Sequence, residues 1–372
     1  TASLEPWPDF KIDLSLFRDY TNNYSEFFKY IGDPISGSFE HLNPVNMGSY
    51  SISYLPAKTM FTKIDSKGFS DTYNTFLANR SIISKRLGTG VYKNPSTEQT
   101  DNNYTEGYGP KSQDVLIPAF LAAYTKANPN KITLNPFKTL LLPNWRISYN
   151  GLTKSKWARK IFTSFTITHG YNSTLTVNSF QTNLDYTQAV TNTGANALDS
   201  LNGNYLPLYN MPSIVMNENL SPLIGFDMTF KNNITAKIDY KQSRTMTVSF
   251  ADFQLVEMTS KQITVGAGYK IKGLKLPIKI KGKKIRLDND LNFRFDFSWR
   301  DNATVNHRID EIDPQLTQGA TVYTIQPSID YIVSKRLTGR RCLDQTKTIP
   351  KISSGFPTTN TRGGITFRFS LA

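Results

Sequence analysis

From residue 291 to residue 300 apolar and polar side chains alternate without a break. Leu291, Phe293, Phe295, Phe297 and Trp299 share one parity; Asn292, Arg294, Asp296, Ser298 and Arg300 share the other. Successive side chains of a strand point to opposite faces, so the pattern predicts a strand with one aromatic face and one charged face. The period recurs. Phe165, Ile167, His169 and Tyr171 alternate with Thr166 and Thr168, and Ile263, Val265, Ala267 and Tyr269 with Thr264, Gly266 and Gly268. Ile224, Phe226, Met228 and Phe230 alternate with Gly225, Asp227 and Thr229. Ile234, Ala236, Ile238 and Tyr240 do so with Thr235, Lys237 and Asp239, and Lys231-Asn232-Asn233 between the two sets predicts a hairpin. Met246, Val248 and Phe250 are even but Phe253 and Leu255 are odd; this slip predicts a β-bulge near Phe250. Further strands are expected over 10–16, 49–60, 320–333 and 361–371.

Elsewhere the period changes. Tyr73, Phe76, Leu77, Ile83 and Leu87 recur at three- and four-residue steps between a cap at Ser70 or Asp71 and Gly88, predicting an amphipathic helix. Residues 89–114, rich in Asn, Thr, Gly and Pro, read as a long exposed loop, and 187–222, with Pro207, Pro212 and Pro222, as another. The apolar block from Val115 to Tyr124 is too short to span lipid as a helix, leaving a plug, a constriction or a packed loop helix. Pro8-Asp9-Phe10-Lys11-Ile12-Asp13-Leu14 is echoed by Pro143-Asn144-Trp145-Arg146-Ile147-Ser148-Tyr149. The echo fits a repeated device for starting strands, in which proline ends the loop and an aromatic anchors at an interface.

Composition then decides between solvents. Hydrophobic residues make up 38% of the 372, yet aromatics reach 12%, as expected of strands with one apolar face. No run of about 18 apolar residues exists, so a transmembrane helix is excluded. A barrel crosses with roughly 9–11 alternating residues, so the mean hydropathy of −0.39 does not oppose a membrane. A soluble sandwich also alternates. Three features favour the barrel: strands edged by Trp299, Tyr240, Tyr269 and Phe230; charges of both signs in mid-strand; and a terminal amphipathic strand from Ile365 to Ala372. Lipid or a partner is expected to meet Phe226, Phe230, Phe293, Phe295, Phe297, Trp299, Phe367 and Phe369. A wet lumen is expected to meet Asp227, Lys237, Asp239, Arg294, Asp296 and Arg368. The chain opens Thr1-Ala2-Ser3-Leu4-Glu5-Pro6 without the features of a leader; for an outer-membrane protein the expectation is a leader already removed or a longer parent chain.

The net charge of +14 is spread by alternation except in one segment, a basic rim of Lys270, Lys272, Lys275, Lys279, Lys281, Lys283, Lys284 and Arg286. It lacks aromatics on which bases would stack, so a lipid-phosphate or acidic partner is favoured and nucleic acid is not expected. The side it faces depends on whether 300–303 is a turn or a bulge. Of three histidines, His41, His169 and His307, none has metal-like spacing; His169 reads as structural or interfacial and His307 as an exposed strand end or loop. Cys342 is the single cysteine and reads as a free thiol. No GxGxxG loop or GxSxG elbow occurs, so neither enzyme chemistry nor a cofactor is expected.

Four long, irregular segments, in order along the chain, resemble the SprA (Sov) family. They are Ile117-Pro118-Ala119-Phe120-Leu121-Ala122-Ala123-Tyr124, Asn144-Trp145-Arg146-Ile147-Ser148-Tyr149-Asn150-Gly151-Leu152, Ser221-Pro222-Leu223-Ile224-Gly225-Phe226-Asp227-Met228-Thr229 and Phe356-Pro357-Thr358-Thr359-Asn360-Thr361-Arg362-Gly363-Gly364-Ile365. The resemblance implies the outer-membrane translocon of the Bacteroidota type 9 secretion system, linked to gliding motility. This is a very large single-chain barrel that exports folded cargo proteins. A PorV-type shuttle barrel and a periplasmic plug are the implied partners. It implies an all-β fold, the C-terminal portion of a very large transmembrane antiparallel meander with loop and short-helix insertions. Residues 1–143 would hold strands with insertions (a possible plug, cap or constriction), and 144–372 the C-terminal transmembrane strands. One departure is 339–345, Gly-Arg-Arg-Cys-Leu-Asp-Gln, where an aromatic-rich penultimate strand is the family pattern; no lipid-facing assignment is made there. The alternatives are a self-contained porin or nutrient receptor of about a dozen strands, and a soluble adhesin or nucleic-acid-binding β-protein.

Overall fold

Extended, β-branched and aromatic alternation builds most of this chain into one antiparallel sheet. The computed structural model describes residues 1–65, 67–137, 140–280, 283–311, 313–334 and 337–369, with the backbone alone over 275–280, 283–289 and 333–334. The N-terminal strands are β1 (Ala2–Trp7), β2 (Phe10–Ser15), β3 (Arg18–Ile31) and β4 (Ser38–Ser53). Helices α1 (Asp71–Leu87) and α2 (Gln113–Thr125) follow, then β5 (Asn144–Tyr149), β6 (Phe162–Thr182) and helix α3 (Leu184–Thr193). The remaining strands are β7 (Ser213–Phe230), β8 (Ile234–Ser249), β9 (Gln254–Ile280), β10 (Lys283–Arg308), β11 (Gln315–Ser334), β12 (Leu337–Pro350) and β13 (Thr358–Phe369). A two-residue strand, Tyr209–Asn210, completes the fourteen-stranded sheet.

The main path runs β1-β2-β5-β6 and then sequentially to β13. The sheet forks at β6. One stretch of β6 (Ile167 to Tyr171) pairs with β5; a later one (Thr174 to Gln181) pairs with β4, which carries β3 on its far side. The two echoed segments are neighbours: Phe10, Ile12 and Leu14 face Tyr149, Ile147 and Trp145 across the β2–β5 ladder. The sheet therefore continues across residues 143 and 144. It is open: among the described residues nothing pairs with the outer edges of β1, β3 and β13.

The predicted β7–β8 hairpin forms, with Asn233 in the left-handed region at φ 64° closing its turn. The expected helix is α1, flanked by Ser70 and Gly88. Several expectations need correction. The slip at Phe250 is no bulge: β8 ends at Ser249, β9 begins at Gln254, and the parity change is a turn between two strands. The second expected loop contains α3 and ends before Ser213; Pro222 lies inside β7, where the register breaks between Leu220 and Ile224 because proline has no N–H for the ladder. The strand expected over 49–60 begins earlier and stops at Ser53, followed by a 3-10 turn at Ala57–Thr59. Residues 300–303 are neither turn nor bulge, since β10 pairs without a break from Leu291 to Arg308. The loop over 89–114 is only partly exposed, with Tyr92, Tyr104 and Thr105 buried.

α1 and α2 cover one end of the sheet. Phe76, Ile83 and nearly all of α2 pack against Leu175 and Val177 of β6, Ile214 and Met216 of β7, Met246 and Val248 of β8, and Leu255 of β9. This is the main core. Helix periodicity supplies an apolar stripe, strand alternation supplies an apolar face, and water is excluded between them.

Candidate functional site

Register places every strand residue on one of two faces, because directly paired residues share a face. On the first, Asp227 pairs with Lys237, Gly266 and Asp296 in successive strands; Asp239 pairs with Thr264 and Ser298, and Gly268 with Arg294. Arg368 joins the same face through Thr338 and Ile332. The six residues expected to meet a lumen thus share one surface. Lys237 Nζ lies 3.3 Å from Asp227 Oδ1 and 3.6 Å from Asp239 Oδ2. Arg294 Nε donates to Asp296 Oδ2 at 2.6 Å. Glycines make room for these charges: a Cβ at Gly266 would sit 2.9 Å from Asp296 Oδ1, and one at Gly225 2.7 Å from Asp239 Oδ1. Gly266 and Gly268 both lie on this face, while Ala267 points the other way.

The opposite face carries the aromatics. Leu291, Phe293, Phe295, Phe297 and Trp299 pair with Ile271, Tyr269, Ala267, Val265 and Ile263 on β9, and with Tyr331, Ile329, Pro327, Ile325 and Tyr323 on β11. Ile234, Ala236, Ile238 and Tyr240 continue the band on β8, and Phe226 and Met228 on β7. Phe230 extends it, its ring 4.7 Å from that of Phe162. Phe367 and Phe369 of β13 lie on the same face and are exposed. Nine residues at about 3.3 Å each, tilted by roughly 35–45°, give a band about 20–24 Å tall, close to the apolar belt of a barrel wall. Trp299, Tyr323 and Tyr240 line one rim.

The helices lie on this same aromatic face, beyond that rim. The apolar block 115–124 is therefore a helix packed over the wall on the side of the phenylalanine rows, away from the charged face. No helix among the described residues is long and apolar enough to cross a membrane.

Between band and helices lies a buried ionic clamp that alternation did not foretell. Glu218 pairs with Arg244 across β7 and β8, and Met246 with Glu257 across β8 and β9. Arg244 Nε donates to Glu218 Oε2 at 2.9 Å, and Nη2 makes a second, short bond to the same oxygen. Nη1 donates to the Thr59 carbonyl at 2.9 Å and Nη2 to Thr59 Oγ1 at 2.7 Å, while Glu257 Oε1 lies 3.7 Å away. Tyr124 of α2 donates to Glu257 at 3.2 Å. Gln242 Nε2 reaches the Met60 carbonyl at 2.9 Å. Burial pushes the Glu257 carboxyl up, against the opposing pull of Arg244; burial and Glu257 push the Tyr124 hydroxyl well up. The available signal was a parity conflict: Glu218, Arg244 and Glu257 sit in phase with Met216, Met246 and Leu255 on faces otherwise apolar.

His307 corrects another expectation. It is buried at the end of β10, its ring stacked 4.1 Å from Tyr73 of α1, and burial lowers its pKa to about 4. His169 is held in the wall, Nδ1 lying 2.6 Å from the Leu223 carbonyl. The basic segment belongs to the β9–β10 hairpin, at the end of the band away from the helices. There Lys270 Nζ meets Asp290 at 2.8 Å and Lys272 is exposed. Lys275, Lys279, Lys283, Lys284 and Arg286 are placed by backbone only, and Lys281 lies outside the described residues, as do the last three positions of the terminal strand. Among the described residues no three His, Cys, Asp or Glu side chains gather to hold a metal. Comparison with protein-family models and with curated proteins gave no match.

Proposed function

We propose that this chain forms the C-terminal wall of a very large outer-membrane barrel that conducts folded proteins, as the resemblance to SprA-type translocons implies. One observation carries the reading. A sheet with open edges at both ends bears charge on one face and, on the other, a nine-residue apolar band. In lipid every strand edge must be paired, so such a wall needs further strands to close. A barrel of about 36 strands, the largest known scale, encloses a lumen wide enough for folded cargo. Its work would be transport without bond chemistry. The charged face would stay hydrated around passing protein, and the open edges would meet the rest of the barrel. A PorV-type shuttle and a periplasmic plug are the partners this reading implies, in the outer membrane of a Bacteroidota bacterium.

The test uses single cysteines in a Cys342→Ser background, in outer-membrane vesicles. A charged maleimide should label Arg294→Cys and Asp296→Cys rapidly, and Phe295→Cys and Phe297→Cys slowly. Equal labelling of the two sets refutes the inside–outside assignment. A cysteine pair at Leu4 and Ile365 separates translocon from porin: efficient disulfide formation within one chain would mean that β1 closes directly on β13, as in a self-contained porin.

A further inference from the structure

The aromatic face carries one anomaly. In the rows strictly inside the Leu291–Tyr331 row and the Trp299–Tyr323 row, every described residue on this face but one is uncharged, from β1 to β13; Lys347 of β12 lies in the Trp299–Tyr323 row itself. The exception is Arg341 of β12. It lies in the row Phe293–Ile329–Arg341–Ile365, one step inside the rim nearer the basic hairpin. Its neighbour in sequence, Arg340, faces the other way and pairs with Asp330 at 3.5 Å. The Arg341 side chain is exposed and has no hydrogen bond or ion pair among the described residues.

A notch opens beside it. Phe293, Ile329, Leu343 and Ile365 line a volume of about 520 Å³, left where Gly363 of β13 has no side chain on this face. On this face the lining is apolar apart from the guanidinium; Ser328, Cys342 and Gly364 border the notch from positions of the opposite parity. A guanidinium in a hydrocarbon layer needs an anion, and its fork matches the oxygens of a phosphate. An apolar slot with one cation at its rim-ward end complements a molecule with an acyl chain and a phosphate head.

We propose that this notch seats a phosphate-bearing membrane lipid, its chain against Phe293, Ile329, Leu343 and Ile365 and its phosphate on Arg341. The inference rests on the outward, lipid-facing reading of this surface. It also explains how strand β12, so poor in apolar residues, sits in the wall: a bound lipid supplies the counter-charge that the protein lacks there.

The experiment uses the intact protein in detergent. Phosphatidylglycerol and phosphatidylcholine are titrated separately, and retained lipid is counted by native mass spectrometry. Wild type should retain phosphatidylglycerol. Arg341→Gln should weaken that retention at least tenfold, while Arg340→Gln leaves it unchanged. Gly363→Val should fill the notch and displace either lipid; its Cβ would meet nothing closer than Leu343 Cδ1 at 3.8 Å, so the strand accepts it. Wild-type retention by both Arg341→Gln and Gly363→Val overturns the proposal. So does equal competition by inorganic phosphate, which would make the site a bare anion contact. A protein that stays monodisperse without detergent and binds neither lipid would instead refute the membrane reading beneath it.

Discussion

Replacing Arg244 by methionine should release the helical layer from the wall. Arg244 joins β8 to Glu218 on β7, and reaches the 3-10 turn through Thr59. The side chains of Glu218 and Glu257 are 0% and 3% exposed, so removing the guanidinium leaves two carboxylates facing each other without water. Breaking a buried pair from one side costs about 3–5 kcal/mol, and at 1.4 kcal/mol per tenfold the lower figure is roughly a hundredfold in opening equilibrium. Lys58 lies within the clamped turn and Lys63 just after it, and both are exposed, so trypsin reads that opening directly. In Arg244→Met, cleavage at these two sites should rise about a hundredfold. The loss should also grow with pH. A glutamate whose folded pKa lies above its ordinary 4.5 stabilises the fold while protonated and ceases to as pH rises through the folded value. Burial already raises Glu257, and removing Arg244 removes its main restraint. The triple variant Arg244→Met, Glu218→Gln, Glu257→Gln should recover most of the stability, because it leaves no buried charge. The reasoning fails if the single variant is cleaved at the wild-type rate, or if the triple variant is cleaved as fast as the single.

Three further outcomes follow from the same geometry. Phe295→Arg should cost about 2–4 kcal/mol of stability in lipid, whereas Arg294→Gln should change it little; unfolding titrations in bilayers compare the two. His307 should make stability fall on acidification: its folded pKa near 4 lies below the ordinary 6.5, so the unfolded chain takes up the proton first and up to roughly 3 kcal/mol is lost between those values. His307→Phe, which keeps a ring against Tyr73, should flatten that part of the pH profile. Phe120→Ala, at a wholly buried position of α2, should cost about 3–5 kcal/mol and raise hydrogen exchange across α1 and α2 while sparing the band.

Strand identity and the two faces were legible in local pattern. A period of two needs only neighbouring residues, so Phe293, Phe295 and Phe297 declare their common side without any partner. The β7–β8 hairpin was legible for the same reason, since Asn233 closes a turn between strands already in phase. A slip of phase was ambiguous, because a bulge and a short turn shift parity alike; the ladder from Ser249 and Gln254 resolved it. Pro222 misled in the other direction, since proline usually marks a loop but is tolerated where a ladder breaks.

Long-range pairing settled the rest. The sequence by itself determined that most of this chain is amphipathic strand with a helical insertion, because backbone period is a local property. Only the tertiary structure decided that β2 lies beside β5, that β6 serves two neighbours, and that α2 packs on the phenylalanine side. It alone brought Glu218, Arg244, Glu257 and Tyr124 together from four elements. Register between distant strands is chosen by what each face must bury, and that depends on every strand at once. Arg341 shows the same division: its parity could be counted along the chain, but only its neighbours on β10, β11 and β13 reveal a cation set inside the rims of an apolar band.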